Sequence, residues 1–147
     1  MDFMQIFDLV QSNTLGFLYY AGVFVVVLSL LVFVHEWGHY IVARMCGVRV
    51  KTFSVGFGKE LIGIDDSHGT RWKISLIPLG GYVQLFGDTD PASTGHSDMI
   101  EDEELGEMRK MTQEEKDDAF FAKPVWKRSL VVFAGPAINY LFAIIVF

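Results

Sequence analysis

Three residues at fixed spacing, His35, Glu36 and His39, are the part of this chain best suited to chemistry. On an α-helix, positions i and i+4 share a face, so both imidazoles can aim at one ion. Glu36 lies about 100° further round the helix, clear of the ion and free to act on an attacking water. Zinc suits two neutral histidines, and a catalytic site adds a third protein ligand and an open position for water. The ion lowers the pKa of that water toward about 7 and polarises a scissile carbonyl. Glu36 would take the proton and hand it to the leaving amine. The pattern implies a hydrolase with Zn2+ as cofactor, His35 and His39 as metal ligands and Glu36 as catalytic base.

The element that must carry this motif is unusual. Leu15–Val34 is twenty residues without a charge, about the length of helix that crosses a bilayer's hydrocarbon core, and it runs directly into His35. Ionisable groups on such a helix are costly unless partnered, and by default they mark function. Peptide-bond hydrolysis at or inside a membrane is the expectation. The bland alternative is a chance match on a buried helix; the bare motif is only moderately specific, and its membrane context argues against chance. A signal peptide would start with basic residues, whereas Met1–Thr14 carries Asp2 and Asp8 and no Lys or Arg. Gly38, small and between the ligands, lets another helix or a substrate come close.

A second uncharged run, Ser129–Phe147, is still apolar at the last residue, which leads us to expect a span cut short and a longer parent chain. All twelve Lys and Arg lie from Arg44 to Arg128. The positive-inside rule therefore puts the N-terminus outside and the connecting segment in the cytoplasm. The fold class expected is an α-helical membrane protein with two transmembrane helices, the second truncated, and a small membrane-associated β-sheet. Residues 1–46 hold the N-terminal tail and first helix, starting at a Ser12 or Asn13 cap and stopping at Gly47. Residues 47–87 are β-rich, with short strands at Arg49–Phe57, Glu60–Ile64, Thr70–Leu76 and Tyr82–Phe86 punctuated by Gly, Pro and an Asp65–Gly69 turn. Residues 88–122 form an acidic loop with at most one short helix, and residues 123–147 an aromatic and basic collar followed by the second span. Cys46, the only cysteine, excludes an intrachain disulfide and a Cys-based zinc site and is expected to pack as a small apolar residue.

His68 and His96, in a turn and a loop, are expected to be surface histidines rather than ligands. Gly135-Pro136 frees backbone groups inside the second span. Asn139, one turn on, is expected either to bond between helices or to line the active site and hold substrate. A free edge of the sheet can bind an extended substrate by strand addition, against the alternative of a merely structural hairpin. Nothing in the basic residues suggests nucleic-acid binding.

Taken together, HEWGH (His35–His39), SVGFG (Ser54–Gly58), PLGGYV (Pro78–Val83), KPVWKR (Lys123–Arg128) and AGPAIN (Ala134–Asn139) closely resemble the bacterial site-2 proteases of the regulator-of-sigma-E-protease type. The resemblance implies a zinc-dependent intramembrane endopeptidase of the cell inner membrane, working on single-span membrane proteins such as an anti-sigma factor or a signal-peptide remnant. It implies substrate handling around Gly56, Phe57 and Gly58, and Asn139 beside the active site. Such proteins continue into PDZ domains and further spans, one of which supplies an Asp as third zinc ligand. The competing readings are an inactive membrane remnant lacking that ligand and a membrane-anchored zinc protease acting on soluble proteins.

Overall fold

The computed structural model describes residues 3–88, 99–101 and 107–147; His96 lies outside them. Helix α1 runs from Phe3 to Met45, 43 residues, or about 64 Å at 1.5 Å per residue. It passes straight through Ser12 and Asn13. A capping residue caps only where a helix begins, and no Gly or Pro interrupts the fifteen residues from Met1. The other end matches expectation. Gly47 takes φ +74°, the Val48 N–H reaches the Ala43 carbonyl at 2.9 Å and the Gly47 N–H reaches Arg44 at 3.0 Å. This is a Schellman ending, closed by burial of Ala43 and Val48 together.

Two long strands follow, β1 (Val50–Asp65) and β2 (Arg71–Leu85), paired antiparallel. They replace the four short strands expected from sequence. Glycines that read as breaks instead absorb bends: Gly56, Gly58 and Gly80 have φ of +92°, +84° and +144°, which side-chain-bearing residues rarely adopt. The bends fold the ribbon back, so Thr52–Val55 faces both Gly81–Gln84 and Arg71–Ile74. Met99–Glu101 (β3) pairs with Met108–Lys110 (β4). Helix α2, Gln113–Asp118, starts with a capping box between Thr112 and Glu115, and a 3-10 turn spans Phe120–Ala122. Part of the stretch read as an exposed acidic loop thus docks on the sheet, burying Met111 and Ala119 against Phe86. Helix α3 runs from Val125 to Val146 with Pro136 inside it.

Asn13–Met45 and Val125–Val146 are long and apolar enough to cross a membrane. The end of α1, both strands and the start of α3 meet in one core of Ala43, Cys46, Val48, Val50, Leu85 and Val131. Cys46 is buried there as expected. Lys127 Nζ donates to the Cys46 carbonyl at 3.2 Å, so a cation closes the C-terminal end of α1.

Aromatic rings lock the sheet onto α1. Phe53, 1% exposed, stacks on Trp72 with centroids 4.3 Å apart and meets Phe33 and Tyr40 edge-on. Asp66 in the hairpin turn adds a polar tie. Its Oδ1 accepts from the His68 and Thr70 N–H groups at 2.8 and 2.9 Å, and its Oδ2 accepts from Tyr40 Oη and Trp72 Nε1, each at 3.2 Å. Burial opposes this charge, but the bonds from Thr70, Trp72, His68 and Tyr40 outweigh it and hold the carboxyl down to about 2. Far along the same helix, Ser29 Oγ donates to the Pro78 carbonyl at 3.0 Å. The sheet therefore lies alongside α1 from Ser29 to Tyr40.

Removing the Asp66 carboxylate leaves four donors short of an acceptor. Asp66→Ala should lower stability in detergent by about 1–3 kcal/mol, read as a drop in thermal midpoint. Because the folded-state pKa is depressed, this stabilisation is present above the unfolded value of 3.8 and is lost as pH falls through about 2. The wild-type advantage over Asp66→Ala should shrink across that window, and a constant difference would count against the assignment.

Candidate metal centre

One turn of α1 sorts the three motif side chains between two neighbours. Phe33, Glu36 and Tyr40 share the face toward the sheet, and His35, Gly38 and His39 share the face toward α3. The helices touch where side chains are smallest. A Cβ on Gly38 would strike Ile138 and the Ala134 carbonyl, and a Cβ on Gly135 would overlap Nε2 of both His35 and His39. The two Nε2 atoms thus converge on the space above Gly135 that any other residue would fill. Their rings stand edge to face, centroids 4.9 Å apart.

The far side of each ring is also held. His39 Nδ1 lies 2.7 Å from the Val131 carbonyl oxygen. A carbonyl only accepts, so Nδ1 carries the proton and the Nε2 lone pair is free for a metal. His35 Nδ1 faces the Asn139 amide nitrogen at 3.2 Å. Two converging imidazole nitrogens, one with its tautomer set for ligation, fit a zinc ion. Among the described residues no group of three or more His, Cys, Asp or Glu side chains stands together, so these residues account for two protein ligands.

Glu36 points instead into a cavity of about 320 Å³ that it lines with His39, Tyr82, Val83, Asp88 and Val131. Gly81 lets β2 lie against it: a Cβ there would meet the Ser54 carbonyl, Val32 and the Glu36 stem. A larger cavity, about 590 Å³, lies along α3 beside Val125, Arg128 and Pro136 and is lined by no histidine or carboxylate.

The remaining residues singled out in the sequence fall in three places. Gly56, Phe57 and Gly58 form the bend of β1. The Phe57 ring covers Gly80, stacks on Tyr82 at 6.1 Å and is 42% exposed, so this bend connects to the cavity through Tyr82. Asn139 sits against His35. His68 is exposed in its turn, its ring beside Ser67. Sequence reasoning missed the Val131 carbonyl, Gly135 as the seat of the histidines, and Tyr82 and Val83 along the cavity. Gly135-Pro136 was the available signal: proline loosens the backbone of the preceding turn, which is the turn that faces His39.

The family model of peptidase family M50 matches residues 23–147. A protein of Agrobacterium fabrum named "Putative zinc metalloprotease" is 51% identical over 124 residues, covering 84% of this chain and 31% of its own length. Metalloprotease MmpA of Caulobacter vibrioides is 44% identical over 138 residues, covering 90% of this chain and 33% of its own. The chain spans about a third of the length of the curated relatives it matches.

Gly135→Ala adds one carbon in the space both histidines share, while alanine favours a helix over glycine by about 1 kcal/mol. Zinc binding should fall sharply with helix content unchanged by circular dichroism. Wild-type zinc stoichiometry and affinity in that variant would disprove the seat.

Proposed function

The chain belongs to peptidase family M50, and from that membership we propose that it forms the zinc-binding part of an intramembrane endopeptidase. The observation that carries the reading is the convergence of His35 and His39 Nε2 above Gly135, with Glu36 one residue round the helix in a cavity beside β2.

His35 and His39 would hold the ion, and a third, acidic ligand of the kind the resemblance implies would complete the set. Bound there, zinc would supply Lewis acidity toward a scissile carbonyl and an attacking water. Glu36 would take a proton from the attacking water as its oxygen bonds to the carbonyl carbon, and would deliver it to the leaving amine as the C–N bond breaks. Its carboxylate is suited to this because it faces a cavity that His39 also lines, which brings base and ligand to one space. The substrate backbone lies extended in the cavity along Tyr82 and Val83, added as a strand beside β2. Gly56, Phe57 and Gly58 steer it, through the Phe57 ring stacked on Tyr82. Asn139, expected either to bond between helices or to hold substrate, makes its contact with His35 across the two helices.

Two helices of spanning length support placement in a membrane, as do the exposed Leu61, Ile62, Ile64, Leu76 and Leu79 on a sheet that lies beside α1. The proposed setting is the cell inner membrane, with the N-terminus outside and the sheet on the cytoplasmic side, dipping along the first span. A transmembrane helix that unwinds into an extended strand is the substrate this arrangement fits, which favours single-span membrane proteins such as an anti-sigma factor or a signal-peptide remnant over soluble proteins.

Glu36→Gln removes the base and leaves the histidines untouched. In liposomes it should bind zinc as wild type does and cleave a model single-span substrate at least about 100-fold more slowly. Equal cleavage by both proteins would overturn the role of Glu36. Zinc binding without cleavage by either would favour the inactive remnant.

A further inference from the structure

A histidine that ligates through Nε2 must keep its proton on Nδ1, and that proton needs an acceptor. For His39 the acceptor is the Val131 carbonyl. Four residues further along α3 is Gly135, and four further again is Asn139. Helices α1 and α3 run antiparallel here, with His39 beside Val131 and His35 beside Asn139. The two partners on α3 are thus eight residues apart and flank the two ligands of α1, with the bare Gly135 midway between them.

The partner of His35 is an amide, which can present either end. With Nδ2 toward the ring, as at 3.2 Å, the amide donates to Nδ1 and the ring proton moves to Nε2, the atom aimed over Gly135. In that orientation Asn139 Oδ1 is buried without a hydrogen-bond partner. Turning the amide by half a revolution exchanges two groups of nearly equal size. Oδ1 then accepts from Nδ1–H, the unmet oxygen is satisfied, and the His35 Nε2 lone pair is free. An amide N–H takes the vacated place, so the net gain is a bond of the correct polarity at the ligand.

We propose that Asn139 is a positioning residue that sets the tautomer of His35, its amide oxygen accepting from Nδ1–H as the Val131 carbonyl does for His39. This rests on the zinc reading of His35 and His39. It assigns Asn139 to the ligand rather than to the substrate. The side chain acts on metal affinity, and a role in holding substrate would move KM and leave that affinity alone.

The test is zinc affinity of the detergent-solubilised protein, measured by competition with a chromophoric chelator. Asn139→Leu keeps the size and removes the acceptor; it should weaken zinc binding about 10–100-fold. Asn139→Asp keeps an oxygen that can only accept and should bind within a few-fold of wild type. A purely structural asparagine predicts the reverse order, since a carboxylate inside the helix pair harms packing more than leucine does. Wild-type affinity in Asn139→Leu, or equal loss in both variants, would overturn the proposal. As a measurement free of variants, 15N NMR of the wild-type protein with zinc added should show His35 protonated on Nδ1; protonation on Nε2 would overturn it. A His35→Ala, His39→Ala double variant that still binds zinc as wild type would instead overturn the underlying zinc reading.

Discussion

The close approach of α1 to α3 is the constraint on which the site depends. Gly38 packs against the Ala134 carbonyl, and Gly135 leaves open the space where both Nε2 atoms meet. A side chain at either glycine would hold the helices apart. His39 would then lose the Val131 carbonyl. Small residues usually serve such crossings by letting backbones pack. Here the same economy of volume also leaves the space in which an ion fits.

A helix that must present ligands to one neighbour and a base to another needs both held at a fixed angle about its axis. On the α3 side the crossing does this. On the sheet side, Phe53, Trp72 and Tyr40 interlock, and Asp66 ties the hairpin turn to Tyr40, the residue after His39. Rotation of α1 would break one set of contacts or the other. The angle between Glu36 and the histidines is intrinsic to the helix, but its aim comes from two separate packing surfaces.

Much of this was legible in residue order because it is local. The i, i+4 histidines, the stop at Gly47, the Asp65–Gly69 turn and the burial of Cys46 each follow from a few adjacent residues. What was hidden has two causes. Glycine marks a bend in both a broken and a continuous strand, so Gly58 and Gly80-Gly81 read as ends when β1 and β2 run through them. The partners of the histidines are remote: Asn139 is 104 residues from His35, and Val131 contributes a backbone atom, which every residue type possesses. Its side chain carries no mark of that role. The helical start at Phe3 was missed for the opposite reason, since Ser12 and Asn13 suggested a cap where the chain had no need of one.

The position of the motif along α1 bears on how a hydrolase so placed obtains its second reactant. Each bond cut consumes one water, and hydrocarbon supplies almost none. His39 is six residues from Met45, the last residue of α1, or about 9 Å along the axis, while more than twenty apolar residues lie on the other side. Arg44, Arg49 and Lys127 gather at the near end. With α1 as a span, the shortest supply line for water opens from that basic end, beside the cavity Glu36 lines. On the proposed reading a polypeptide would arrive from the lipid and water from the opposite quarter, so that the two reactants would reach the same turn of helix by separate doors.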